Sequence, residues 1–214
     1  MKYLITTILI AVSTVLFSQN IFQPDKYKVI EKNNPILFEV DIEYKYDYSY
    51  KIEKMNIDID TSKLIGRINT SYGNNSYVYG KYIIKQDSLN SILIVHQTIK
   101  LLKGNEVPCC NSEYKTILYV YNHKKEMITD TVLLAQNSMW VMPINSGDII
   151  NRTISKSTVY FDKDNALSKI KTKSLHYSLH TMYTIYNLNL DLDTDTCKYN
   201  ENVYKWKDKM LQIK

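Results

Sequence analysis

Apolar and polar positions alternate along most of the chain. Over residues 38–50, Phe38, Val40, Ile42, Tyr44, Tyr46, Tyr48 and Tyr50 interleave with Glu39, Asp41, Glu43, Lys45, Asp47 and Ser49. Successive side chains of a strand point to opposite faces, so this period predicts a strand with one apolar, aromatic face and one charged face. A helix would scatter the same residues around its circumference. The phase then slips, because Met55, Ile57 and Ile59 occupy odd positions, and a bulge or tight turn is expected near Glu53 and Lys54.

Further strand-like runs follow at hairpin spacing: residues 64–69, 77–85, 91–102, 114–121, 127–134, 139–144, 149–154, 158–161 and 167–172. Between them lie segments rich in Asn, Asp and Ser, such as Asn74-Asn75-Ser76, Gln86-Asp87-Ser88 and Asp162-Lys163-Asp164-Asn165. These residues tolerate left-handed backbone and bond their own main chain, so they turn it. Strands do not alternate with helices, which predicts an all-β fold, a mainly antiparallel meander forming a sandwich or a curled, barrel-like sheet.

Two stretches fit either period. Leu175, Leu179, Met182, Tyr183 and Tyr186 would form a helical stripe, yet Tyr177, Leu179, Thr181, Tyr183 and Ile185 alternate equally well. The β-branched Thr181, Thr184 and Ile185 favour a strand. At the C-terminus, Val203, Trp206, Met210 and Leu211 have helical spacing, and Asn200 or Asn202 would cap the helix, so a short C-terminal helix is expected there.

The first residues belong to another category. Lys2 precedes an uncharged, largely apolar stretch from Leu4 to Phe17, with Ser18 as the small residue before a cut. That stretch is short of the roughly 20 residues that span a bilayer and has the size of a secretory core. Residues 1–18 are therefore read as a signal peptide and residues 19–214 as a single β-rich globular domain, exported to a periplasmic or extracellular compartment. No second apolar stretch approaches the length of a membrane span. An outer-membrane barrel fits the alternation superficially, but Asn69, Gln97 and Thr98 interrupt the apolar faces.

Composition narrows the picture further. The chain has 19 Tyr, 5 Gly and 4 Pro among 214 residues, which excludes collagen-like and linker-like sequences. Its 27 basic and 22 acidic residues give a net charge of +5. The two signs are interleaved along the sequence, which predicts only a mildly basic surface.

Candidate chemistry is sparse. Cys109 and Cys110 are adjacent and Cys197 lies near the end. Adjacent cysteines strain a disulfide, so the bridge open to this chain joins Cys197 with Cys109 or Cys110. Such a bridge would contribute about 4–5 kcal/mol through chain entropy; three separate thiols are the alternative. His176 and His180 would share a metal on a helix, but on a strand they stand about 13 Å apart. Asp191, Asp193 and Asp195 resemble the start of a calcium loop, yet Thr196 stands where Gly is needed and Asn202 where Glu is needed.

No nucleophile elbow, phosphate loop or dinucleotide fingerprint occurs, and no cofactor is implied. Lys169, Lys171 and Lys173 alternate on one strand, but no nucleic-acid motif accompanies them. The tyrosines suit either sheet packing or a platform for a sugar or peptide. The expected function is a non-catalytic binding or interaction domain for a protein, a glycan or an apolar small molecule. The alternatives are a periplasmic carrier holding a lipid or small apolar ligand in a concave sheet, and a hydrolase without a legible motif.

Overall fold

The structure is a computed structural model and describes residues 20–30, 34–40, 42–44, 52–55, 59–69, 75–99, 112–144, 147–181, 200–207 and 210–213. The leader, the three cysteines and the run from Asp191 to Asp195 lie outside these residues. The described chain forms β1 (Lys28–Val29), β2 (Ile36–Phe38), β3 (Ile42–Tyr44), β4 (Ile52–Met55), β5 (Leu64–Asn69), β6 (Asn75–Lys85) and β7 (Asn90–Thr98). These are followed by β8 (Ser112–Asn122), β9 (Met127–Ile144), β10 (Gly147–Phe161), β11 (Leu167–Thr181), β12 (Asn200–Lys207) and β13 (Met210–Ile213).

From β6 to β13 consecutive strands are neighbours, and each pairs antiparallel with the next in one continuous meander. The expected all-β architecture is the one observed. One described pair runs parallel: β1 lies alongside β6, with Lys28 opposite Tyr82. β3 and β4 form a separate two-stranded sheet. There Glu43 faces Lys54 and Tyr44 faces Ile52, so Glu53 is the extra residue of a bulge at the place where the alternation slips.

The long strands curl the sheet. β9 pairs with β8 over its first part, then with β10 from Gln136 onward. Beyond Ser155, where β9 has left β10, β2 takes its place, with Phe38 opposite Ser157 and Ile36 opposite Val159. The two halves of the sheet thereby face one another. Ile84, Ile92, Ile94, Leu118 and Val120 from β6–β8 share a buried cluster with Val159, Leu167 and Ile170 from β10 and β11. Phe38 and Val40 complete it.

The reverse face of β6–β8 is also covered. Leu93, Val95, Ile117 and Tyr119 pack with Ile21 and Tyr27 of the N-terminal segment. The Tyr27 hydroxyl donates to the Ile21 carbonyl at 2.8 Å, and the Phe22 ring stacks on Tyr121 with centroids 4.9 Å apart. β7 is consequently buried on both faces, which explains its unbroken run Ile92-Leu93-Ile94-Val95.

Several local expectations need correction. The C-terminal helix does not form, because residues 200–207 pair with β11 and residues 210–213 close a hairpin on them. β11 would otherwise present an unsatisfied edge to the end of the chain, and Tyr204 and Trp206 are good strand residues. As a strand the segment sends Tyr204 and Trp206 onto the core, whereas a helix would have grouped Val203 with Trp206.

Runs expected as separate strands are also continuous. Residues 127–144 form a single strand whose polar centre is bonded rather than turned: Asn137 is 2% exposed and gives its amide to the Val40 carbonyl at 3.0 Å. The strand expected over residues 38–50 is instead divided. β2 ends at Phe38 and β3 begins at Ile42 in the other sheet, and residues 45–50 lie outside the described ones. The ambiguous stretch beginning at Leu175 is strand as far as Thr181.

Candidate functional site

The described interior carries organised polar groups, the first of them on β6–β8. Gly80 faces Val95 and Tyr82 faces Ile94, leaving Lys81 as the extra residue of a bulge in β6. A bulge frees its residue from the ladder and re-aims the side chain. Lys81 Nζ accordingly reaches His96 Nε2 at 3.0 Å and lies about 6 Å from the rings of Phe38 and Tyr82. His96 Nδ1 meets Thr116 Oγ1 at 2.9 Å across the β7–β8 pair.

An ammonium can only donate, so Nε2 accepts from Lys81 and the Nδ1–H donates to Thr116. His96 is thereby a neutral imidazole. Burial, reinforced by the Lys81 charge, pushes its pKa down to about 3. With both ring nitrogens engaged, His96 has no free lone pair with which to take a proton from a substrate. The group links the neighbouring strands β6, β7 and β8.

A second interior set joins β9, β10 and β11. Arg152 is buried and points Nε at Asn137 Oδ1 at 3.4 Å. The Ser157 hydroxyl sits 2.8 Å from Thr172 Oγ1 and bonds the Leu134 carbonyl.

The outer face of β10–β12 is different. Ser157, Val159, Ile170 and Thr172 are buried, so their neighbours Lys156, Thr158, Tyr160, Lys169, Lys171 and Lys173 point outward. Register sets Lys156 opposite Lys173 and Lys169 opposite Lys205. Lys171 lies between Thr158 and Val203. Cross-strand pairs stand about 5 Å apart at Cβ, and like charges placed so are destabilising.

Two features temper this charge. Glu201 opposes Lys173, and the exposed Glu39 follows β2. Lys169 Nζ lies 4.3 Å over the Tyr160 ring. Leu37 of β2 joins the same face opposite Thr158 and is 52% exposed.

Of the residues singled out in the sequence, Lys169, Lys171 and Lys173 come together with Lys205, from the segment expected as an amphipathic C-terminal helix, and with Lys156, which the sequence assigned to no site. Their shared signal was the alternation of each strand, and the pairing register supplied the rest. His176 and His180 both lie on β11, and the ring of His176 is engaged through Nδ1 by Thr153 Oγ1 at 2.8 Å. Tyr27, Tyr79, Tyr114, Tyr119 and Tyr121 are buried, so these tyrosines serve packing. Among the described residues, no helix is long and apolar enough to cross a membrane. No protein-family model, curated protein or solved structure matches the chain.

Proposed function

We propose that this chain is an exported, non-catalytic binding domain whose contact surface is the lysine face of β10–β12 and whose ligand is anionic. The observation that carries the reading is the pairing of Lys169 with Lys205 beside Lys171 on one outward face. Lysines in opposed positions repel one another, and that cost is relieved when a ligand supplies negative charge. Packing of Phe38 and Val40 into the core supports this surface over a concave carrier cavity at that position. The doubly bonded, neutral His96 gives no support to a hydrolase.

The test is binding of the full chain to anionic and neutral counterparts of two probes: dextran sulfate against dextran, and phosphatidylglycerol vesicles against phosphatidylcholine vesicles. Binding to at least one anionic member, weakening as salt is raised, is the expected result. Combined replacement of Lys169, Lys171 and Lys205 by Glu should abolish it without lowering the melting temperature. Failure to bind either anionic probe overturns the reading.

A further inference from the structure

Charge alone does not describe the lysine face. Leu37 stands in the same row as Thr158, Lys171 and Val203, and it is one of the few large apolar side chains more than half exposed among the described residues. Tyr160 lies in the next row, beneath the Lys169 ammonium and followed across the sheet by Lys205. The combination is an outward sheet surface on which cations share rows with an exposed aliphatic side chain and an amphipathic ring.

A dissolved polyanion would satisfy the lysines and leave Leu37 in water. A bilayer bearing anionic headgroups offers both negative surface potential and an apolar layer just beneath it. Tyrosine is at home at that boundary, where its ring and its hydroxyl meet different media. The outer face of a curled sheet also suits a membrane better than a compact ligand, which would need a concave site. We infer that the face formed by Lys169, Lys171, Lys205, Tyr160 and Leu37 docks on an anionic lipid surface. The inference rests on the binding reading above and names its ligand.

Three lysines near such a surface strengthen partition by roughly 100-fold, and a partly inserted leucine adds about fivefold relative to alanine. The decisive experiment is sedimentation of the full chain with phosphatidylglycerol or phosphatidylcholine vesicles, and binding to dextran sulfate in parallel. Expected are binding to the anionic vesicles, little to the zwitterionic ones, and about fivefold weaker vesicle binding by Leu37→Ala with its dextran sulfate binding unchanged. A salt titration of the unaltered chain and the single variant Lys171→Gln report the charge dependence even if the triple charge reversal folds poorly.

Equal binding to both kinds of vesicle overturns the inference, because an apolar segment elsewhere would then be responsible. Unaltered vesicle affinity of Leu37→Ala overturns the docking mode. Binding to dextran sulfate without binding to anionic vesicles overturns the membrane ligand and leaves the anion-binding reading standing. Binding to neither overturns both.

Discussion

The side-chain amide of Gln86 pairs with the backbone of Leu167 as a strand would: Gln86 Nε2 donates to the Leu167 carbonyl at 2.9 Å, and the Leu167 N–H donates to Gln86 Oε1 at 2.7 Å. Gln86 sits in the turn between β6 and β7, whereas Leu167 opens β11, 81 residues later. One side chain thus ties the two halves of the curled sheet at the point where Leu167 enters the core, 1% exposed.

Gln86→Met keeps the length of that side chain and removes both bonds. Because it leaves a backbone donor and acceptor without partners at the edge of the core, it should cost about 2–3 kcal/mol. Gln86→Glu retains the acceptor for the Leu167 N–H but, when ionised, sets an oxygen against the Leu167 carbonyl. It should therefore cost less once the carboxyl is protonated than at neutral pH. Urea midpoints rank the two variants against the unaltered chain, and midpoints equal to its own would show that the pairing contributes little.

Gly80 faces the N-terminal segment so closely that a Cβ would sit 2.4 Å from the Lys26 carbonyl oxygen. Gly80→Ala must therefore move backbone, and a cost of about 1–3 kcal/mol is expected. The displaced element is the 3-10 turn Pro24–Lys26, together with the Tyr27 hydroxyl bond to Ile21. Limited proteolysis should cut the variant within residues 20–30 faster than the unaltered chain.

The neighbours Leu37 and Phe38 test the assignment of faces. Phe38 is 3% exposed and Leu37 is 52% exposed. Phe38→Ala should cost about 3–5 kcal/mol by leaving a cavity, whereas Leu37→Ala should change stability by less than about 0.5 kcal/mol. Thermal melts decide between them, and a large loss for Leu37→Ala would reverse the faces of β2.

His96 makes the fold acid-sensitive. Its ordinary pKa of 6.5 is pushed down to about 3 in the folded chain, so the unfolded chain binds the proton first. Its contribution is complete above pH 6.5 and is lost progressively as pH falls towards 3. The slope approaches about 1.4 kcal/mol per pH unit between those values. His96→Gln should be less stable at neutral pH but show a shallower fall on acidification. Parallel pH profiles for the two proteins would remove His96 as the cause.

The alkaline side follows from buried phenols. Burial, aided by Tyr119, raises the Tyr27 pKa well above 10, and burial pushes Tyr119 up to about 12. Above pH 10 the unfolded chain loses these protons while the folded chain keeps them, so stability should fall as pH rises from there. Ultraviolet titration should show Tyr27 and Tyr119 ionising only with unfolding. Early, reversible ionisation of every tyrosine would contradict their burial.

Local information was enough for some of the strands and turns. The hairpins around residues 86–89 and 123–126 were legible because alternation and turn chemistry act between neighbours in the chain. So was the bulge at Glu53, since an extra residue shifts the phase of everything after it. The outward set Lys169, Lys171 and Lys173 was equally visible, because period two alone places those side chains on one face.

Contacts between distant residues were decided elsewhere. Nothing local pairs β2 with β10; that contact exists because β9 leaves β10 beyond Ser155 and exposes a backbone edge that needs a partner. The same requirement turned residues 200–207 from an expected helix into the strand that satisfies β11 and brings Lys205 beside Lys169. Helical spacing at Val203 and Trp206 is a property of the sequence, but its cost and benefit depend on what lies alongside. Alternation determined which way each lysine points along its own strand. Only the register between strands, set by burial of Val159, Ile170 and Trp206 against a common core, brought those lysines onto the same face as Leu37.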